Sequence, residues 1–280
     1  MTENFKSFPE EIKHNQSEAE VSGETIELTK GKSFLDVRLR GCFITNLNLT
    51  DPSTGKSKNI LNSEGNKTKA KLTASHIMSP IGKYEGIGEQ HGFPRWADYH
   101  EFSLPDGENG EKRVSFQAKR SDNGLGLYKY CELQDNCMIS NTVFSNNGSG
   151  IENTSIGEHL YFALENESLE GILFNGSSLN SLLGEGADTE ILEGKSFDYP
   201  LFNGEATLKF PDSRTIKLSV QASEGDLDIL IWHRKGSNSI CFEPTVGFSK
   251  ETGNKGLQIM PNETASLSTN IELLPESPIV

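Results

Sequence analysis

The chain has 280 residues, in which 40 aspartates and glutamates outnumber 26 lysines and arginines for a formal net charge of -14. That charge opposes binding to nucleic acid or to an anionic membrane, because long-range repulsion weakens every encounter with a polyanion; a neutral or phosphorylated small molecule held by local arginines stays compatible with it. No apolar run reaches about eighteen residues, and Cys42, Cys131, Cys137 and Cys241 show no paired CxxC spacing, so the expectation is a soluble, cytoplasmic protein with reduced, buried thiols.

In chain order, residues 1–22 are hydrophilic and lack periodicity, which predicts a loosely ordered arm ahead of a single domain over 23–280. Strand-like segments then recur at 25–28, 33–39, 42–49, 114–119, 138–145, 158–164 and 216–221, rich in β-branched and aromatic residues. Turn clusters such as Asp51-Pro52-Ser53-Thr54-Gly55 separate them. Residues 63–92 are polar and become glycine-rich, which predicts long connections over one sheet. Alternation is clear in Thr215-Ile216-Lys217-Leu218-Ser219-Val220-Gln221. Helical periodicity is confined to one short turn at Leu179–Leu183, and 27 glycines and 11 prolines punctuate the chain. With no fixed-period repeat, the fold class is all-β: two large sheets packed face to face, with few short helices.

Three segments carry chemistry. Gln90-His91-Gly92-Phe93-Pro94-Arg95 sets an amide, an imidazole and a guanidinium around a glycine turn. His91 can face a cleft or simply bond a neighbouring carbonyl; Arg95 can fork two donors to a sugar or phosphate, stack on Trp96, or pair with Asp98. In Glu158-His159-Leu160-Tyr161-Phe162-Ala163, period two puts His159 and Tyr161 on one face and Leu160 and Phe162 on the other. That face is either a site floor or a buried histidine satisfied by the tyrosine hydroxyl or backbone. In Cys241-Phe242-Glu243-Pro244, Pro244 is expected to stop ladder pairing and leave Glu243 as a strand-end carboxylate. Desolvation there raises its pKa toward that of a useful base, the alternative being an ordinary ion pair. His14, His76, His100 and His233 gain no role from spacing, and no HxH, HxxxH or HExxH supports a metal site. No GxSxG and no cysteine beside a histidine supports a nucleophile.

Taken in order, these segments resemble the aldose 1-epimerase (galactose mutarotase-like) superfamily, most closely its hexose-6-phosphate mutarotase type, which carries QHGxxR, HxYF and a late E-P. Asn146-Asn147-Gly148 and Met260-Pro261-Asn262-Glu263-Thr264 add to the likeness, which spans residues from about 24 to 274. The resemblance implies a β-supersandwich and cofactor-free interconversion of the α and β anomers of a hexose or hexose phosphate. It implies His159 as the general acid at the ring oxygen, Glu243 as the general base at the C1 hydroxyl, and His91 assisting. Gln90, Arg95, Tyr161 and Asp198 would hold the sugar. The upstream R-G-G arginine of phosphate-binding relatives has no counterpart; Ser75-His76-Ile77-Met78-Ser79-Pro80 occupies that region. The expected partner is a small sugar or sugar phosphate, with neither nucleic acid nor membrane, and the chain is expected as a monomer or weak dimer. The competing readings are a non-catalytic carbohydrate-binding sandwich and a glycoside-processing domain, the latter needing a second carboxylate.

Overall fold

The computed structural model describes residues 24–62, 74–82, 91–119, 124–166, 168–199, 202–248 and 256–276. The expected arm at 1–22 and the site residue Gln90 lie outside them. The first strands are β1 (Thr25–Lys30), β2 (Ser33–Arg38), β3 (Phe43–Thr50), β4 (Ser57–Leu61), β5 (Ser75–Met78), β6 (His100–Ser103) and β7 (Lys112–Lys119). Next come β8 (Leu125–Leu133), β9 (Cys137–Asn146), β10 (Glu152–Thr154), β11 (Ile156–Ala163), β12 (Leu173–Phe174) and β13 (Ser177–Ser178). Helices α1 (Leu179–Leu183) and α2 (Ala187–Leu192) precede β14 (Phe197–Tyr199), β15 (Glu205–Lys209), β16 (Thr215–Ala222) and β17 (Leu227–His233). The chain closes through β18 (Ser239–Val246), β19 (Leu257–Ile259) and β20 (Thr264–Leu273).

Among the described residues the strands form two nine-stranded sheets, with β10 and β19 pairing apart from them. The first runs β1-β2-β3-β4-β11-β18-β17-β14, with β5 pairing β11 and β3; the second runs β13-β12-β15-β16-β20-β9-β8-β7-β6. In β16, Ile216, Leu218 and Val220 are buried while Lys217 and Ser219 between them are partly exposed, the pattern of a strand with one face on a core. Phe162 and Phe242 of the first sheet share that core with Phe116, Phe144 and Phe174 of the second, and the Phe174 and Phe242 rings stack at 5.8 Å. The core also holds charge: Lys129 Nζ reaches across from β8 to Glu158 Oε1 (2.6 Å), which Ser75 Oγ (3.1 Å) and Ser140 Oγ (3.0 Å) also bond.

Residues 63–92 are not connection throughout, because Ser75–Met78 forms β5 and pairs with β11 from Gly157↔Met78 to Leu160↔Ser75. Four residues among polar neighbours are too few for alternation to register, and pairing to a central strand supplies what local propensity does not. Among the described residues no helix is long and apolar enough to cross a membrane.

Candidate active site

β11 and β18 are buried at all eight positions each, as the short β5 beside β11 is at all four, so something covers their outer as well as their inner faces. Inward, Leu160, Phe162, Ile240 and Phe242 join the main core. Outward, Met78, Ile81 and Leu230, with Phe248 against them, form a small separate apolar cluster beside a cavity of about 470 Å³. That volume lies in the range of about 300 to 1,000 Å³ usual for small-molecule sites.

Sheet register builds the cavity floor. His76 pairs with His159 across β5 and β11. The pairs Gly157↔Thr245 and Tyr161↔Cys241 keep one register along β11 and β18, which sets His159 opposite Glu243. Glu243 pairs in turn with Leu230, and Leu230 with Asp198. A row of residues from five strands thus crosses one face of the sheet, although in sequence it spans His76 to Glu243. Because Asp198 stands two strands beyond Glu243, it belongs to the row without lining the cavity. Its Oδ1 is buried without a hydrogen-bond partner.

Pro244 does not end the strand, contrary to the sequence expectation: β18 continues to Val246, and Ile229↔Pro244 is a ladder pair. The ladder to β11 instead lapses between Tyr161↔Cys241 and Gly157↔Thr245, the stretch that faces Pro244. A residue with no N–H is tolerated where pairing is already interrupted. Glu243 is therefore held in mid-strand, on the rigid part of the sheet.

His159 Nε2 lies 3.1 Å from Glu243 Oε1. Both side chains are only 6% exposed, so the contact is nearly water-free. Tyr161 stacks flat on His159 (4.2 Å between centroids, 11° between planes), which excludes the tyrosine hydroxyl as the histidine's partner, and Trp232 meets the same ring edge-on at 5.6 Å. His159 also stacks on His76 at 4.7 Å.

The turn carrying His91 closes over this floor. His91 adopts a φ of 69°, and a Cβ on Gly92 would meet the Ser79 carbonyl oxygen at 1.9 Å, so only glycine fits there. The His91 N–H donates to the Gly82 carbonyl (2.9 Å), and the Gly82 N–H donates to His91 Nδ1 (3.2 Å). With Nδ1 accepting, the neutral ring carries its proton on Nε2 as a donor. Arg95 is buried with its Cζ 5.5 Å from the Trp96 ring, while Asp98 pairs with Arg40 at 2.7 Å. Trp96 stacking and a cavity-facing position thus coexist for Arg95, and the Asp98 alternative fails. Arg234, Trp232 and Ser196 complete the wall, none of them flagged by sequence motif.

Electrostatics follow from burial. Burial first, then the Arg95 charge, holds the His91 pKa down to about 3. Burial with His91 and Arg95 pushes His159 well below the usual range, and burial followed by Arg95, His159 and His91 does the same to His76. Burial raises Glu243 to about 8. Each direction disfavours charge, so the resting floor is a set of neutral imidazoles with a proton held between Glu243 and His159. His76 shows why spacing failed to find it: its neighbours are strand pairs, and both its ring nitrogens are buried without a hydrogen-bond partner. Asn146 and Asn262 have a structural part, since Asn262 N–H donates to the Asn146 carbonyl (2.7 Å) and Asn146 Nδ2 to the Ile259 carbonyl (2.9 Å).

Neither a protein-family model nor a curated protein matches the sequence. Solved structures do match. The Slr1438 protein of Synechocystis sp. PCC 6803 is 18% identical with a TM-score of 0.70, covering 91% of this chain and 97% of its own. A galactose mutarotase-like protein from Clostridium acetobutylicum is 14% identical with a TM-score of 0.69, covering 91% and 96%. Another from Lactobacillus casei ATCC 334 is 16% identical with a TM-score of 0.66, covering 89% and 100%. Likeness over nearly the full length of each partner shows that this chain has the galactose mutarotase-like fold.

Proposed function

We propose that the protein is an aldose 1-epimerase that interconverts the α and β anomers of a hexose or hexose phosphate, with no cofactor. The observation that carries this reading is the 3.1 Å contact between His159 Nε2 and Glu243 Oε1 on the cavity floor. Opening a cyclic hemiacetal requires one proton given to the ring oxygen and one removed from the C1 hydroxyl. Those oxygens share a carbon, so the acid and the base must stand side by side. Glu243 takes the hydroxyl proton and His159 protonates the ring oxygen; rotation about C1–C2 and reclosure on the other face reverse the transfers.

The proton inventory suits this exchange. A neutral imidazole beside a carboxylic acid holds the same single proton as an imidazolium beside a carboxylate. Sugar hydroxyls entering the cavity favour the charged arrangement without any proton crossing from solvent. The Nε2–H of His91 is free to donate toward the ring oxygen. Tyr161 and Trp232 offer flat apolar faces to the sugar's C–H surface. Arg95 and the exposed Arg234 place two guanidiniums on the wall of a chain of net charge -14, which favours a phosphorylated over a neutral sugar. Gln90 completes the proposed sugar-binding set, whereas Asp198, standing off the cavity lining, makes no direct contact with the sugar. The four cysteines suit a cytoplasmic protein, Cys42, Cys131, Cys137 and Cys241 all being free and buried.

NMR exchange or polarimetry on glucose, galactose and glucose 6-phosphate tests the reading. The protein should accelerate exchange of at least one of them, with glucose 6-phosphate the best. Because the singly protonated pair is the working form, kcat/KM should decline as pH rises through about 8, where Glu243 loses its proton. Sugar binding with exchange held at the buffer rate would leave a carbohydrate-binding module instead.

A further inference from the structure

Among the described residues near the floor, anomer exchange uses neither His76 nor Cys241, and the thiol is that of Cys241. It lies two residues before Glu243 on β18, so both side chains leave the sheet on the same outer face, Cys241 paired with Tyr161 and Glu243 facing His159. One ligand atom each from His159, Cys241 and Glu243 lies within 4.8 Å of the others, and all three residues are at least nine-tenths buried. We propose that His159, Cys241 and Glu243 form a binding site for a divalent transition-metal ion of the zinc class, taken up in place of a sugar.

The donor set is one that zinc prefers: an imidazole nitrogen, a thiolate sulfur and a carboxylate oxygen, with the cavity leaving a fourth, open position for water. Tetrahedral bonds of about 2.0 to 2.3 Å put ligand atoms roughly 3.3 to 3.7 Å apart. The His159–Glu243 contact of 3.1 Å is close to that already, and the sulfur, within 4.8 Å of both, has to close in by up to about 1.1 Å. Charge also balances. A thiolate and a carboxylate neutralise the dication, so the complete site buries no net charge, and the thiol proton and any proton on the carboxyl pass to solvent. His76, His91 and His159 form a second cluster of the same dimensions. It is the poorer site, because His91 Nδ1 already accepts from Gly82 and three neutral imidazoles leave two positive charges uncompensated beside Arg95. Linear spacing hid both clusters, since their members sit on separate strands or a turn.

Binding does not depend on the enzymatic reading; only its consequence does, because an ion held by His159 and Glu243 would block the proposed acid and base. Cobalt(II) is the probe, titrated into tag-free protein under anaerobic conditions. The site predicts one equivalent bound with a near-ultraviolet thiolate-to-cobalt charge-transfer band, strong visible absorption of a four-coordinate ion, and displacement of both by zinc. Cys241→Ala and Cys241→Ser, shown folded by circular dichroism, should lose the charge-transfer band and weaken binding by about tenfold or more. Both variants should keep the wild-type exchange rate while zinc ceases to inhibit it. The proposal is overturned if wild-type protein gives no charge-transfer band at one equivalent, or if the band or the affinity survives in either folded variant. Visible bands without the charge-transfer band would mean ligation by imidazoles alone and would overturn it too. Cobalt binding as described, in a protein that exchanges no anomer, would retain the site and discard the enzymatic reading.

Discussion

The central strands of the two sheets are covered differently. In β16 and β20 buried and more exposed positions alternate, leaving one face of the second sheet solvated, whereas β11 and β18 in the first are buried throughout. The solvated sheet spends its sequence on packing. The doubly covered strands place His159 and Glu243 on an outer face where burial stabilises nothing by itself, and where neutral imidazoles and a reluctant carboxylate are kept at a cost in stability. The two faces of β11 make the contrast within a single strand: Glu158 inward ties the sheets together, and His159 outward meets Glu243.

Substitutions on either side of β11 should therefore move different observables. Lys129→Met strands the Glu158 carboxylate in the core and should cost about 3 to 5 kcal/mol in chemical denaturation. Replacing Glu158 by leucine in the same chain should recover much of that loss. If Lys129→Met alone is neutral, the inner face does not depend on the ion pair.

On the outer face the sign reverses. Glu243 titrates near 8 in the folded chain and near 4.5 in the unfolded one, so its contribution is intact below 4.5 and is lost as pH rises through 8. Glu243→Gln removes that penalty and should stabilise the protein on the order of 2 to 3 kcal/mol at pH 8, while lowering exchange by about two orders of magnitude or more. A variant destabilised at pH 8 but not at pH 5 would contradict this.

A smaller, graded effect follows from the histidines. His76, His91 and His159 have folded pKa values held below 6.5, so their contribution is present above 6.5 and is lost as pH falls. Stability should drop below pH 6.5 by up to about 1.4 kcal/mol per pH unit for each buried histidine. A melting temperature flat between pH 6.5 and 4.5 would show that these rings take up protons without opening the site.

The sequence announces the solvated sheet more plainly than the site. Alternation marks β16, and the same pattern runs through Ala265, Leu267, Ile271 and Leu273 of β20. β8 hides because Lys129 is buried inside it, and β17 because Leu227-Asp228-Ile229-Leu230-Ile231-Trp232-His233 has little alternation to read. Helix α1 was legible from its local residues, and α2, with glycines on both flanks, was not. His159, Tyr161 and Glu243 were legible as polar groups among apolar neighbours, and His91 and Arg95 as a turn motif. His76, Cys241 and Trp232 were not, since their place is fixed by which strands pair, and strand pairing is long-range.

The most direct test of the central claim, that His159 and Glu243 work as one proton-transfer unit, is a double-mutant cycle on kcat/KM for anomer exchange. His159→Ala and Glu243→Gln should each lower the rate by about two orders of magnitude or more, and the double variant should lose little beyond either single one. Losses that multiply in the double variant, or full activity in either single one, would contradict it.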